Sequence, residues 1–146
     1  MTKNKDKIIK IVFIIYILGV VFFTFVVRET LVPRTFGHRG AELRPFREYY
    51  ALFRYQNHFF WFKQIALNIL LFVPLGVLLP VKDERFKKLW KTALAGLLFS
   101  SFIEVMQYIT GRGFTETDDV INNTLGAVVG YLIFTFIKTR IRQAPK

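Results

Sequence analysis

No cysteine occurs in the chain, and histidine occurs only twice. The first absence excludes a disulfide framework, a thiol nucleophile and any thiolate metal site. The second leaves no histidine-based ligand set. His38 and His58 stand apart in one loop and read as interface residues rather than ligands. Acids are scarce as well, 10 against 21 basic residues, for a net charge of +11. A polar exterior is lacking too. Apolar side chains make up 53% of the sequence and 17 residues are phenylalanine, too apolar for the large relative surface of a soluble domain this small.

The apolar residues come in four blocks. Ile11–Val27 and Ile65–Val81 each run 17 positions without a charge, Leu89–Thr110 is interrupted only by Lys91 and Glu104, and Val120–Ile137 carries no charge. A hydrocarbon core of ~30 Å needs ~20 helical residues, which each block supplies once its flanks are counted. The expectation is an all-α integral membrane protein with transmembrane spans at about 8–27, 65–81, 89–110 and 119–137, the whole chain 1–146 forming a single membrane domain. The first block follows a lysine-rich start, as a signal peptide would. Its apolar stretch exceeds the usual ~7–15 residues, however, and no small-x-small site follows, so it reads as a retained span.

In a soluble protein the basic excess would suggest nucleic acid. Here its distribution argues for topology instead, and no nucleic-acid partner is expected. Thirteen basic residues fall at the N-terminus (Lys3, Lys5, Lys7, Lys10), between spans two and three (Lys82, Arg85, Lys87, Lys88, Lys91) and in the tail (Lys138, Arg140, Arg142, Lys146), against eight elsewhere. The positive-inside rule therefore places both termini in the cytoplasm. The first external loop, 28–64, holds seven of the remaining basic residues, but long translocated loops obey the rule loosely.

That loop contains "ELRPFREYYALFRYQNHFFWFK". Pro45 suits the first turn of a helix. Phe46, Tyr49, Tyr50 and Phe53 then recur at i, i+3, i+4 and i+7, with Arg47 and Arg54 on another face. This predicts an amphipathic helix in the membrane interface, its rings at headgroup depth and Arg44, Arg47 and Arg54 available to anions. In the second span Pro74 interrupts the backbone ladder. In the fourth, Gly126 and Gly130 form a GxxxG pair that admits another helix closely, whether in the same chain or in a homo-oligomer.

The polar residues of the spans fall at one depth. With the termini inside, Glu104 lies roughly 10 Å below the outer boundary at 1.5 Å per residue, with Gln107 one turn further out. Asn122 and Asn123 lie about one turn below the same surface, beyond Asp118 and Asp119, and Asn68 lies at a similar depth in the second span. Gly96, Ser100, Glu104, Gln107 and Gly111 share one face of the third span, as do Asp119, Asn122, Asn123, Gly126 and Gly130 on the fourth. Polar groups in lipid turn inward, because exposing a charge costs on the order of 3 kcal/mol. The expectation is a polar pocket open to the outside, with amides satisfying Glu104 and Arg112 reaching down to it or pairing with Asp118 or Asp119.

Three motifs, "LRPFREY", "NILLFVPLGVLLP" and "SSFIEVMQYITGRGFTETDDVINNTLGAVVGY", resemble the VanZ-like family of bacterial membrane proteins over about residues 43–137. The resemblance singles out Pro45, Phe46, Asn68, Phe72, Pro74, Gly76, Glu104, Gln107, Arg112, Asp118, Asp119, Asn123, Gly126 and Gly130. The run "GRGFTETDD" departs from the family's tighter spacing, with Glu116 or Thr117 near the place of its acid. The family is named for a determinant of glycopeptide (teicoplanin) resistance. The resemblance implies a multi-pass protein of the bacterial cell membrane, without a settled reaction or cofactor.

Three functions remain in competition. The first is a non-enzymatic envelope protein that binds a lipopeptide-like or lipid-linked ligand at Asn68, Glu104, Gln107, Arg112, Asp118, Asp119, Asn122 and Asn123. The second is an enzyme on a lipid-linked wall precursor with Glu104 or Asp119 as acid or base, for which the sequence offers no nucleophile constellation and no dedicated metal set. The third is a small proton-coupled drug exporter, which would need a carboxylate reachable from both faces. The first is preferred.

Overall fold

The computed structural model describes residues 3–27 and 40–143, and His38 lies outside them. Helix α1 (Lys3–Phe22) runs on through a π-helical turn, Phe23–Val27. A short strand β1 (Gly40–Glu42) and helix α2 (Arg47–Arg54) precede the long helix α3 (His58–Lys82). A 3₁₀ turn at Glu84–Phe86 leads to α4 (Leu89–Thr110), then strand β2 (Phe114–Glu116) and α5 (Thr117–Gln143). Among the described residues, four helices are long and apolar enough to cross a membrane: Lys3–Val27, His58–Lys82, Leu89–Thr110 and Thr117–Ile141.

The third span has the predicted bounds, and the others are longer. α3 begins at His58 rather than 65 because Asn57 caps it, its Oδ1 accepting the Phe60 N–H at 3.2 Å. Helix α2 starts at Arg47, past Pro45, because Phe46 turns the chain in a left-handed conformation (φ 62°). The two strands, too short to leave an alternating pattern in the sequence, pair in parallel, with Gly40 opposite Phe114 and Glu42 opposite Glu116. They tie the first loop to the connection between α4 and α5.

Helices α3 and α5 run parallel and touch backbone to backbone. A Cβ added to Gly126 would lie 2.1 Å from the Ile69 carbonyl oxygen, and one on Gly130 would lie 2.0 Å from that of Val73. Only hydrogens fit there, so the GxxxG pair does admit another helix. That helix is α3 of the same chain, against whose backbone both glycines pack. Near Pro74, which cannot donate to the carbonyl one turn back, the Tyr16 hydroxyl of α1 donates to the Leu71 carbonyl at 2.8 Å. Across the other side of α5, Gly96 of α4 meets Ala127.

Val20, Phe72, Leu75, Leu79 and Ile103 form the apolar core. Among the described residues, buried polar side chains outnumber buried apolar ones and include Glu48, Asn68, Glu104, Gln107, Glu116, Asp118, Asp119, Asn122 and Asn123. Large apolar side chains cover the outside, from Leu18 on α1 to Phe102 on α4 and Phe136 on α5. Hydrocarbon solvates such a surface and drives polar groups inward.

Candidate functional site

The buried acids and amides gather at one end of the bundle, where α3 and α5 begin and α4 ends. The parallel register of α3 and α5 places Asn68 beside the first turns of α5, and its Nδ2 donates to Asp119 Oδ1 at 2.5 Å. Asp118, one residue earlier, points the other way. Its Oδ1 accepts the Phe46 N–H at 2.5 Å and its Oδ2 the Glu48 N–H at 2.6 Å. A helix N-terminus presents N–H groups without intrahelical partners, and α2 has no capping side chain of its own. Asp118 therefore caps it across 70 residues of sequence.

Once docked, α2 turns Glu48 and Ala51 inward and leaves Phe46, Tyr50 and Phe53 outside. Glu48 Oε2 accepts from Asn122 Nδ2 at 3.0 Å, and the Tyr49 hydroxyl donates to Asn122 Oδ1 at 2.5 Å. Burial, with Asp118 and Glu48 nearby, pushes the Tyr49 phenol upward, so it remains a donor. Asn123 reaches the other neighbour, donating to Ser100 Oγ of α4 at 2.8 Å.

Glu104 is 3% exposed. Its Oε2 accepts the backbone N–H of Glu116 at 2.8 Å, while the Thr115 hydroxyl donates to its main-chain carbonyl at 3.0 Å. Glu104, expected to be met by amide side chains, thus takes a bond from the β2 backbone. Asn68 and Asn123 belong to the same end of the bundle but bond to Asp119 and Ser100 instead. Gln107 donates to the Thr24 carbonyl at 3.4 Å. Gly111, in the left-handed region at φ 66°, then ends α4 and turns the chain toward β2. Arg112, expected as the counter-ion, is exposed, and no ion pair joins it to Glu104, Asp118 or Asp119 among the described residues.

Glu48 and Glu116 escaped the sequence reading as site residues. One carboxylate oxygen from each and one from Asp119 lie within 4.8 Å of one another, all buried. Such hard oxygen donors suit Mg²⁺, Ca²⁺ or Mn²⁺. Glu48, Glu104, Glu116 and Asp119 are each engaged in further interactions as well. The signal for Glu48 was its place opposite the aromatic stripe of α2, beside small Ala51. Glu116 was visible only as an acid standing near a family position.

Of the three arginines expected to meet anions, Arg44 and Arg47 flank a cavity of about 300 Å³ at the outer side of α2, which they line together with Pro45, Phe46, Tyr50, Ala51, Tyr55 and Trp61. Arg54 does not line it. Arg44 binds Glu42 through Nε at 2.8 Å and Nη2 at 2.8 Å. Hydrogen bonding from Arg44 holds the Glu42 carboxyl down at about 2. Arg47 lies 3.4 Å from Glu42 Oε2 and 3.7 Å from Glu116 Oε1, joining the cavity wall to the buried acids.

The VanZ/LLP1 family profile matches residues 11–138. A curated relative, Protein VanZ of Enterococcus faecium, is 32% identical over 82 residues, 56% of this chain and 50% of the relative. The matched part thus spans half the length of that relative. No solved structure matches the chain. The family and the four apolar helices together mark a multi-pass membrane protein. On a match that covers most of its length, the chain belongs to the VanZ/LLP1 family.

Proposed function

We propose that the protein binds the anionic head of an amphipathic, lipid-linked or lipopeptide-like molecule at the extracytoplasmic face of a bacterial cell membrane, and so lowers susceptibility to lipid-tailed glycopeptides. The observation that carries this is the cavity of about 300 Å³ in which Arg44 and Arg47 meet Tyr50, Tyr55, Phe46 and Trp61. Guanidinium groups match phosphate and carboxylate in fixed geometry, and amphipathic rings favour the headgroup layer. On this reading both termini are cytoplasmic, α2 lies in the interface, and the buried acids and amides serve as the scaffold that sets α2 in place. Arg47 would exchange part of its interaction with Glu42 for the ligand.

The test is to express the protein in a susceptible host and challenge it with teicoplanin and with a glycopeptide lacking the acyl tail. Protection against the tailed compound alone is expected, and it should fall in Arg47→Gln and Trp61→Ala. Equal susceptibility with and without the protein, or full protection by both variants, would refute the reading.

The approach of Glu48, Glu116 and Asp119 favours one second reading, an enzyme on a lipid-linked wall precursor that uses a divalent cation. Its mark would be product formed by purified protein with Mg²⁺ or Mn²⁺ and abolished by Asp119→Asn. The exporter gains no such support: among the described residues, the buried carboxylates lie at one end of the bundle only.

A further inference from the structure

At the opposite end of the bundle, α5 continues beyond the loop that joins α3 to α4, and two cavities meet on its flank. One is an almost wholly apolar slot of about 330 Å³ between α3 and α5, lined by Val77, Val81, Ile137 and Ile141 together with Phe134 and Lys138. The other, of about 210 Å³, is the more polar of the two, and Lys87, Tyr131, Thr135 and Thr139 complete it with the same Phe134 and Lys138. Phe134 and Lys138, one helical turn apart, form the shared wall, with the Lys138 ammonium 5.9 Å from the Phe134 ring.

The polar cavity is held in shape. The Tyr131 hydroxyl donates to the Lys87 carbonyl at 2.7 Å, fixing the loop against α5. Thr135 and Thr139 donate to main-chain carbonyls of α5, at 2.8 and 2.9 Å. The anion-seeking groups are therefore the two ammoniums. Lys87 is paired with exposed Glu84, and Asp83 is engaged by Arg85. Beside these two acids stand Lys82, Arg85, Lys87 and Lys138, with Lys88 and Lys91 close by in sequence, a strong local positive excess.

We propose that this end of the protein is a binding site for one anionic membrane phospholipid, its phosphodiester between Lys87 and Lys138 and an acyl chain in the α3–α5 slot. Charge complementarity selects the head, and the adjoining apolar slot selects a lipid over a free anion. Basic pockets between spanning helices suit anionic headgroups in this way. The site is independent of the extracytoplasmic reading above, because it shares no residue with that cavity.

The test is native mass spectrometry of the full chain in detergent, titrated with phosphatidylglycerol and with phosphatidylcholine of identical acyl chains. The anionic lipid should bind more tightly. Lys87→Gln and Lys138→Gln should each weaken it about fivefold, in keeping with a basic side chain near an anionic surface, and the double variant should lose the preference. The control Lys88→Gln/Lys91→Gln removes the same charge outside the cavities and should retain the preference. Equal binding of both lipids, a preference that survives Lys87→Gln/Lys138→Gln, or an equal loss in the control would overturn the proposal. All these lysines are at least partly exposed, so the variants should fold, as gel filtration will verify.

Discussion

Asp118 holds α2 by accepting two backbone N–H groups, from Phe46 and Glu48. Replacing it by alanine removes both acceptors at once. A hydrogen bond to a charged group contributes ~1.5–3 kcal/mol, so the two together are worth about 3 kcal/mol at the lower end. Phe46 is held at φ 62° by this docking, and a non-glycine residue there costs ~1–2 kcal/mol, part of which is recovered when the cap is gone. The net loss is about 2 kcal/mol, or roughly thirtyfold in the local opening constant of α2. Amide hydrogen exchange of the purified protein reads this directly: protection across 46–54 should fall thirtyfold in Asp118→Ala. It should fall by a smaller factor in Asp118→Asn, which keeps one acceptor oxygen. Protection elsewhere, in α4 above all, should be unchanged. Full protection of 46–54 in Asp118→Ala, or a loss spread evenly over the molecule, would show that α2 is held by something else.

Other consequences can be checked as readily. Gly130→Ala places a methyl 2.0 Å from the Val73 carbonyl oxygen, and overpacking of this kind costs ~1–3 kcal/mol. The unfolding midpoint in detergent should drop, and an unchanged midpoint would mean that the helices do not meet there. Glu104→Ala strands the buried Glu116 N–H at a cost of ~1–3 kcal/mol, whereas Glu104→Gln still offers it an oxygen, so alanine should be clearly the less stable of the two by the same measurement. The Glu42 carboxyl is held at about 2, below its ordinary 4.5. A depressed carboxyl stabilises above the unfolded value and loses that contribution as pH falls from about 4.5 through 2. Exchange protection of β1 should therefore be flat from neutral pH to about 4.5, and a decline that begins near 6 would point to another group. Finally, the absence of native cysteine makes single-cysteine labelling clean: Phe53→Cys and Arg85→Cys should react from opposite sides of the membrane, and labelling from one side would overturn the topology.

The four long helices were legible because a bilayer demands long charge-poor runs, and such runs survive in composition alone. Pairing Asn68 with the start of α5 was legible in outline, since depth follows from counting residues down each span. What escaped was the set of partners. Depth fixes how far down Glu104 sits but not which neighbour faces it, and one of its partners is a main-chain N–H that no side-chain pattern could announce. Three-residue strands carry no periodicity, so the β1–β2 link was invisible. The pattern of α2 shows an aromatic stripe with arginines on another face, whereas the burial of Glu48 depends on Asp118 and Asn122, contacts that the local sequence does not carry. The glycine pair marks a place of close helix approach, and its contact with α3 follows from the parallel register of the two helices, which composition alone does not give.

The β1–β2 pairing and the Asp118 cap have a consequence for biosynthesis. Glu48 leaves the ribosome 70 residues before Asp118, a delay of roughly 4 to 14 seconds at ordinary translation speeds of ~5–20 residues per second. Throughout that interval the segment that becomes α2 has neither its cap nor its strand partner. Helix α5, made after the other four described helices, is thus the one that closes them together, and a nascent chain stalled before it would hold those helices with no cap for α2. A quality-control protease sampling the first loop would distinguish finished molecules from unfinished ones by that alone.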